Sequence, residues 1–324
     1  MRFGYTLMTE QAGPKALVRY AAAAERAGFD FEVSSDHFSP WLAEQGHAPY
    51  AWSVLGAVAQ CTERVELMTY VTCPIMRYHP AVVAQKASTM QLLSDGRFTL
   101  GLGAGENLNE HVVGRGWPAV NVRHEMLEEA LHIIGGLFDG GYFSYAGEHF
   151  RVDSAKLWDL PGQRTPIAVA VSGAQSVTRF APLADAMVAV EPKASLCREW
   201  DKAGGGAGDR KIGQLPVSWD RDSAAASRRA HEQFRWFGGG WKVNAELPGP
   251  SGFAGATQFV TESDVSQSIP CGPEVGPILK SLREFADAGF TDVALVQIGG
   301  EHQDGFLEFA EAELLPALRQ EWGN

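Results

Sequence analysis

The chain has 324 residues, of which 45% are hydrophobic and 20% charged, and its formal net charge is -12. That size and balance suit a soluble globular enzyme built as one α/β barrel or as two ordinary domains. The acidic excess argues against a nucleic-acid or anionic-membrane partner, while leaving room for a locally basic pocket.

The predicted elements run as follows. Residues 1–7 alternate as a strand. Pro14 sits at a helix start, where its missing N–H costs nothing. Residues 15–27 form an alanine-rich amphipathic helix that Gly28 stops. Residues 29–35 are a second strand, and 52–60 a helix. A third strand spans 64–72, rich in Val, Leu and Thr. Pro80 opens a helix over 81–93, which Asp95-Gly96 ends. A fourth strand covers 97–103, and a long helix covers 122–137. The rhythm then changes, because 142–152 carries aromatic residues and a glycine and resembles a β-hairpin insertion. Strand 166–171, helix 174–183, strand 186–190, helix 195–203, strand 211–219 and helix 223–237 follow. Residues 238–273 are irregular, rich in Gly, Pro and Ser. Helix 277–288, strand 292–298 and a closing helix over 306–320 complete the chain.

About eight strands alternating with helices argue for parallel pairing. Length and count favour a single closed (β/α)8 TIM barrel over 1–324, with insertions near 141–165 and 238–275. The second insertion is too long for a plain connection and is expected to cover the active-site face. No apolar run is long enough to span a bilayer, and the first ten residues, MRFGYTLMTE, lack the apolar core of a secretion signal. A cytoplasmic protein is expected. Cys61, Cys73, Cys197 and Cys271 show no close pairing or metal spacing and read as reduced thiols. No metal site is expected, since no His-x-x-x-His or Cys-x-x-Cys pair occurs.

Three strand ends carry chemistry. The loop Ser34-Ser35-Asp36-His37-Phe38-Ser39-Pro40-Trp41 places an acid, an imidazole and an indole where barrel enzymes do their work. His37 exchanges protons near neutral pH, and Asp36 is the adjacent carboxylate to orient it as a general base. Trp41 can wall a flat-ring pocket. Gly101-Leu102-Gly103-Ala104-Gly105-Glu106 departs from the dinucleotide pattern, which needs glycine where Glu106 stands. It reads instead as small residues that let a ligand approach the backbone, with Glu106 aimed into the barrel mouth. Thr69-Tyr70-Val71-Thr72-Cys73-Pro74 is either a tight turn or a cofactor wall. Ser172 and Gly173 precede a helix and could donate to a phosphate or simply cap it. Lys193, in Glu191-Pro192-Lys193, is either a substrate-anion contact or a surface lysine. Trp241, Asn244 and Glu246 either line the pocket from the second insertion or pack at the surface.

These segments resemble the luciferase-like barrel oxidoreductases that use coenzyme F420, and within them the group containing F420-dependent glucose-6-phosphate dehydrogenase. The likeness lies in Ser35-Asp36-His37-Phe38 with Pro40-Trp41, in Gly46-His47-Ala48-Pro49, in Arg77-Tyr78 with Pro80-Ala81-Val82 and Ala84-Gln85, and in Gly103-x-Gly105-Glu106-x-Leu108-Asn109-Glu110. The resemblance implies a TIM barrel, a homodimer, a small-molecule substrate and a deazaflavin at the C-terminal strand ends. It implies that His37 takes the substrate hydroxyl proton, that Trp41 stabilises the reacting complex, and that Glu106 exchanges a proton with the deazaflavin. Glu10 matches a further active-site carboxylate in contact with substrate. Asp36, Tyr70, Val71, Gly105, Asn109, Ser172 and Gly173 fall where the family holds its cofactor. A non-proline cis bond would lie between Tyr70 and Val71. Of three basic phosphate-binding side chains in the sugar-phosphate enzymes, only Lys193 has a match. The stretch 262–272, where the others should lie, has no Lys or Arg. An alcohol or carbonyl substrate other than glucose 6-phosphate is therefore expected. The alternative is an FMN-dependent monooxygenase on the same barrel.

Overall fold

The computed structural model describes residues 1–206 and 208–323. Eight parallel strands close into a barrel: β1 (Arg2–Leu7), β2 (Phe31–Ser34), β3 (Glu66–Thr69), β4 (Phe98–Leu102), β7 (Ile167–Ala170), β8 (Ala186–Val188), β9 (Arg210–Val217) and β10 (Asp292–Gln297), with β10 pairing back to β1. Between β4 and β7 stands an antiparallel pair, β5 (Phe143–Ala146) and β6 (Arg151–Ala155), outside the barrel. This pair is the hairpin that the aromatic run predicts.

The strands are almost wholly buried because both faces are covered, which is why they read as apolar runs rather than alternating ones. Inside the barrel, Phe31, Val33, Met68, Tyr70, Val188 and Ile212 pack together. Gly4 is needed beside them, since a Cβ there would lie 2.4 Å from the Phe31 ring. Below this layer Arg2 and Arg210 flank Phe31 and pair with Glu66 and Asp292, closing the N-terminal end. Chemistry is thereby confined to the other end.

The outer helices follow their sequence signals. Helix Pro14–Ala27 starts on proline, buries Leu17, Tyr20, Ala21 and Ala24, and ends at Gly28 with φ 102°, a conformation glycine adopts without strain. Two expectations change. The strands β2 and β3 are shorter than 29–35 and 64–72. Beyond Thr69 the chain turns through a cis Tyr70–Val71 bond, and Thr72 meets Leu102 only in an isolated bridge. The stretch 238–273 is not irregular throughout; it holds helices Trp241–Asn244, Pro250–Ala256 and Glu262–Ser268. Local caps make them: Pro250 stands in the first turn of one, and Thr261 and Asp264 exchange hydrogen bonds at the start of another. Such short helices leave too little periodicity to recognise. Together with Phe234–Gly239 they form a second apolar cluster, including Trp41, Trp236, Phe253 and Val296, that roofs the C-terminal end of the barrel.

Candidate active site

A cavity of about 250 Å³ opens at that end, with Glu10, His37, Trp41, Tyr70, Glu106 and Ser172 in its wall. The loops after β1, β2 and β4 deliver Glu10, His37 and Glu106. Glu10 Oε1 lies 2.8 Å from His37 Nδ1, and Glu106 Oε2 lies 3.2 Å from His37 Nε2. The imidazole is thus clamped between two carboxylates. Nδ1 makes no well-directed hydrogen bond, so the Glu10 contact is chiefly Coulombic. Glu10 is itself fixed, because its Oε2 accepts from Ser35 Oγ at 2.6 Å and Thr9 Oγ1 at 3.2 Å.

Burial alone would strip the charge from His37, but Glu10 first and Glu106 second carry its pKa up to about 10. Burial likewise pushes the Glu10 carboxyl up, and the adjacent His37 cation together with the hydrogen bond from Ser35 outweighs it, leaving that carboxyl below its ordinary range. At neutral pH the site therefore holds an imidazolium against an ionised Glu10.

The carboxylate that serves His37 is Glu10 and not its chain neighbour Asp36. Adjacent residues leave a strand in opposite directions, and Asp36 turns away from the ring. Its Oδ2 accepts from Thr72 Oγ1 at 2.8 Å and Trp52 Nε1 at 3.1 Å, and its Oδ1 accepts from Tyr78 OH at 3.1 Å. Arg77 Nη2 donates to its carbonyl at 2.6 Å, while Arg77 Nε holds Glu110 at 2.7 Å. Asp36 is a pin for the loop, with its carboxylate oxygens already engaged. Asn109 makes the second tie: its Oδ1 accepts from the Phe38 and Ser39 amides at 2.8 and 3.2 Å, and its Nδ2 donates to Glu106 Oε2 at 2.8 Å.

Trp41 is held edge-on to His37, ring centroids 5.1 Å apart, and stacks on Trp236 at 4.0 Å and 9°. Small residues, Gly103, Ala104 and Gly105, also line the cavity. Gly105 has φ 80°, and a Cβ there would come within 2.4 Å of Cys73 Sγ; one at Gly103 would come within 2.7 Å of Val71. Close packing against Cys73 and Val71 therefore demands glycine at both positions, and Tyr70, Val71 and Ser172 line the cavity with them. Gly173 caps the helix Ala174–Phe180 and is outside the wall, and the Ser172 and Gly173 amides both donate to Ser176 Oγ.

Other expected contacts lie elsewhere. Lys193 is 54% exposed and its ammonium is paired with Glu191, so it is a surface residue outside the wall. The stretch 262–272 also contributes nothing to the wall; its helix packs against the one at Ser223–Phe234. The lack of Lys and Arg there consequently says little about the cavity. Trp241 and Asn244 line it, whereas Glu246 pairs with the buried Arg123 at 2.7 Å. His124 and Trp236 are wall residues with no role assigned from sequence, and Arg77, within the Arg77-Tyr78 segment, lines the wall as well. All four cysteines are free, and no group able to hold a metal ion occurs among the described residues. No helix among them is long and apolar enough to cross a membrane.

A closed parallel barrel with an imidazole clamped between two carboxylates in a cavity at its C-terminal rim, lined also by small residues, defines a cofactor-dependent barrel oxidoreductase. The chain belongs to the luciferase-like monooxygenase family, whose model matches residues 1–292. Among its relatives is the F420-dependent glucose-6-phosphate dehydrogenase of Segniliparus rotundus, 33% identical over 98% of each chain. Another is the F420-dependent hydroxymycolic acid dehydrogenase of Mycobacterium tuberculosis, 32% identical over 98% of this chain and 88% of that one. In structure it is similar to an F420-dependent secondary alcohol dehydrogenase solved with an F420-acetone adduct, with a TM-score of 0.89 and 26% identity over 98% and 99% of the two chains. These likenesses put it in the F420-dependent branch of the family, as the Asp36-His37…Trp41 and Gly105-Glu106 segments lead one to expect.

Proposed function

We propose that this chain transfers a hydride between coenzyme F420 and an uncharged alcohol or its carbonyl counterpart. The observation that carries the reading is His37 clamped between Glu10 and Glu106 in a cavity whose wall also holds Gly103 and Gly105. Gly103, Gly105, Val71 and Tyr70 would hold the cofactor's ring system, which supplies a carbon that accepts hydride.

Alcohol oxidation needs a base at the hydroxyl, and an imidazolium is not one. His37 becomes the base by passing its Nε2 proton to Glu106, 3.2 Å away. Nε2 then takes the hydroxyl proton, and Glu10 on Nδ1 favours the imidazolium that re-forms. Glu106 is left holding a proton beside Gly105, where negative charge on a bound ring would need neutralising. The two carboxylates thus divide the work: one keeps its charge and the other exchanges a proton. Trp41 shields the pair from water.

The substrate is proposed to be other than glucose 6-phosphate. No lysine lines the cavity, Arg77 is committed to Glu110 and Asp36, and Glu10, Glu106 and Glu191 also face it. A phosphate dianion would meet more carboxylates than free cations there. This reading sets the chain apart from its relatives named for that sugar. The test is titration with F420 and with FMN, followed by turnover with secondary alcohols and with glucose 6-phosphate. F420 is expected to bind in preference to FMN and to be reduced by the alcohols. Preferential FMN binding would overturn the cofactor assignment, and efficient turnover of glucose 6-phosphate the substrate assignment.

A further inference from the structure

One sequence feature is not used by the proton chemistry: Phe234-Arg235-Trp236-Phe237-Gly238-Gly239-Gly240-Trp241. It packs four aromatic residues and three glycines into eight positions. In the fold it runs from the end of helix Ser223–Phe234 through a 3-10 turn at Arg235–Gly239 to helix Trp241–Asn244. Gly240 takes φ 74° and ψ 155°, which lets the chain turn there. All four aromatic residues reach the cavity wall.

Trp236 is the centre of this group. It is stacked on Trp41 at 4.0 Å, sits edge-on to Phe237 at 6.0 Å, and is buried, with its Nε1 donating to the Gln233 carbonyl at 3.1 Å. Its indole hydrogen is therefore spent, and it offers a ligand only carbon surface. Asn244 is the polar wall residue of this segment, and its Nδ2 donates to the Trp236 carbonyl at 3.5 Å. Met8 and Val296 extend the same side. Met8, Trp41, Trp236, Phe237 and Val296 thus form one apolar patch of the wall, which begins beside His37 at Trp41. A polyhydroxylated substrate would lose water from its hydroxyls against a surface that cannot replace it.

We infer that Trp236 and Phe237 set substrate specificity, and that the substrate is a secondary alcohol, or its ketone, bearing an aryl or comparably large hydrocarbon arm. The arm lies against the Trp236–Phe237 surface while the oxygen faces His37. The inference rests on the functional reading above and narrows it. Each added apolar group buried in such a wall is worth about tenfold or more in discrimination.

The test uses protein loaded with F420 and isothermal titration calorimetry with acetophenone, acetone and glucose 6-phosphate, so that binding is read apart from turnover. Acetophenone is expected to bind at least tenfold more tightly than acetone. Trp236→Leu and, separately, Phe237→Ala should shrink that ratio to about threefold or less. The affinity for F420, followed by its fluorescence, should stay within about twofold in both variants and report that they are folded. Equal binding of the two ketones, no ketone binding, tighter binding of glucose 6-phosphate, or an unchanged ratio in both folded variants would each overturn the inference. Failure of the wild-type chain to bind F420 would instead overturn the functional reading on which it rests.

Discussion

Replacing Glu10 by Gln removes one of the two charges that hold His37 as a cation and leaves the side chain's shape nearly intact. The rise of His37 from 6.5 to about 10 corresponds to about 5 kcal/mol in favour of the charged ring. Both carboxylates supply it against an opposing burial term, and Glu10 is the closer, at 2.8 Å against 3.2 Å. Its loss should therefore remove at least half of the rise, bringing His37 to about 8 or below. The measurement is a pH titration of the His37 ring nitrogens by NMR in the wild-type and Glu10→Gln proteins. Linkage gives a second readout. Because the folded pKa lies above the unfolded one, the charged ring's contribution is fully present below about pH 6.5 and is lost as pH rises toward 10. Wild-type stability should fall across that window, and in Glu10→Gln the fall should be shallower and end earlier. A wild-type His37 that titrates near 6.5, or a variant whose ring stays cationic through pH 9, would refute the two-carboxylate clamp.

Three more outcomes can be checked. Gly105→Ala should cost about 2 kcal/mol or more in denaturant unfolding, since its Cβ would meet Cys73 Sγ at 2.4 Å in a backbone conformation with φ 80°. Glu32 is fully buried and neither carboxylate oxygen has a partner, so burial holds its pKa well above the ordinary range. The folded state then keeps a proton that the unfolded state releases, and stability falls as pH rises past the ordinary carboxylate range. Glu32→Met should accordingly raise the melting temperature more at pH 8 than at pH 4.5, and an equal change at both would exclude this account. Lys193→Ala should leave kcat/KM for an alcohol within about twofold, since Lys193 lies outside the cavity wall and its ammonium is paired with Glu191; a large loss would return Lys193 to the site.

The barrel was legible because alternating apolar runs and amphipathic helices follow directly from strands buried on both faces. His37, Trp41 and Glu106 were legible because each closely follows a strand's last residue, where side chains converge whatever the tertiary detail. What joins them was not. Glu10 reaches His37 across two adjacent strands, whereas Asp36, its neighbour in the chain, faces a different set of donors. Chain adjacency was the wrong guide there, since successive residues leaving a strand point apart. Lys193 lies outside the wall, its ammonium paired with Glu191 two residues before it, a pairing that its position in the chain did not announce. The aromatic roof was the hardest part, because Trp236 earns its place through a stack with Trp41, nearly two hundred residues away in sequence, that no local pattern encodes.

Asn109 binds the loop after β2 to the acid after β4 through three directed hydrogen bonds. Trp236 meets Trp41 through flat contact alone. Directed bonds are broken by almost any replacement, while packed apolar surfaces absorb exchanges that keep volume. Mutational drift in this cavity is therefore channelled toward the aromatic side. Descendants of this chain can acquire new alcohols while the apparatus that moves the proton is inherited unchanged.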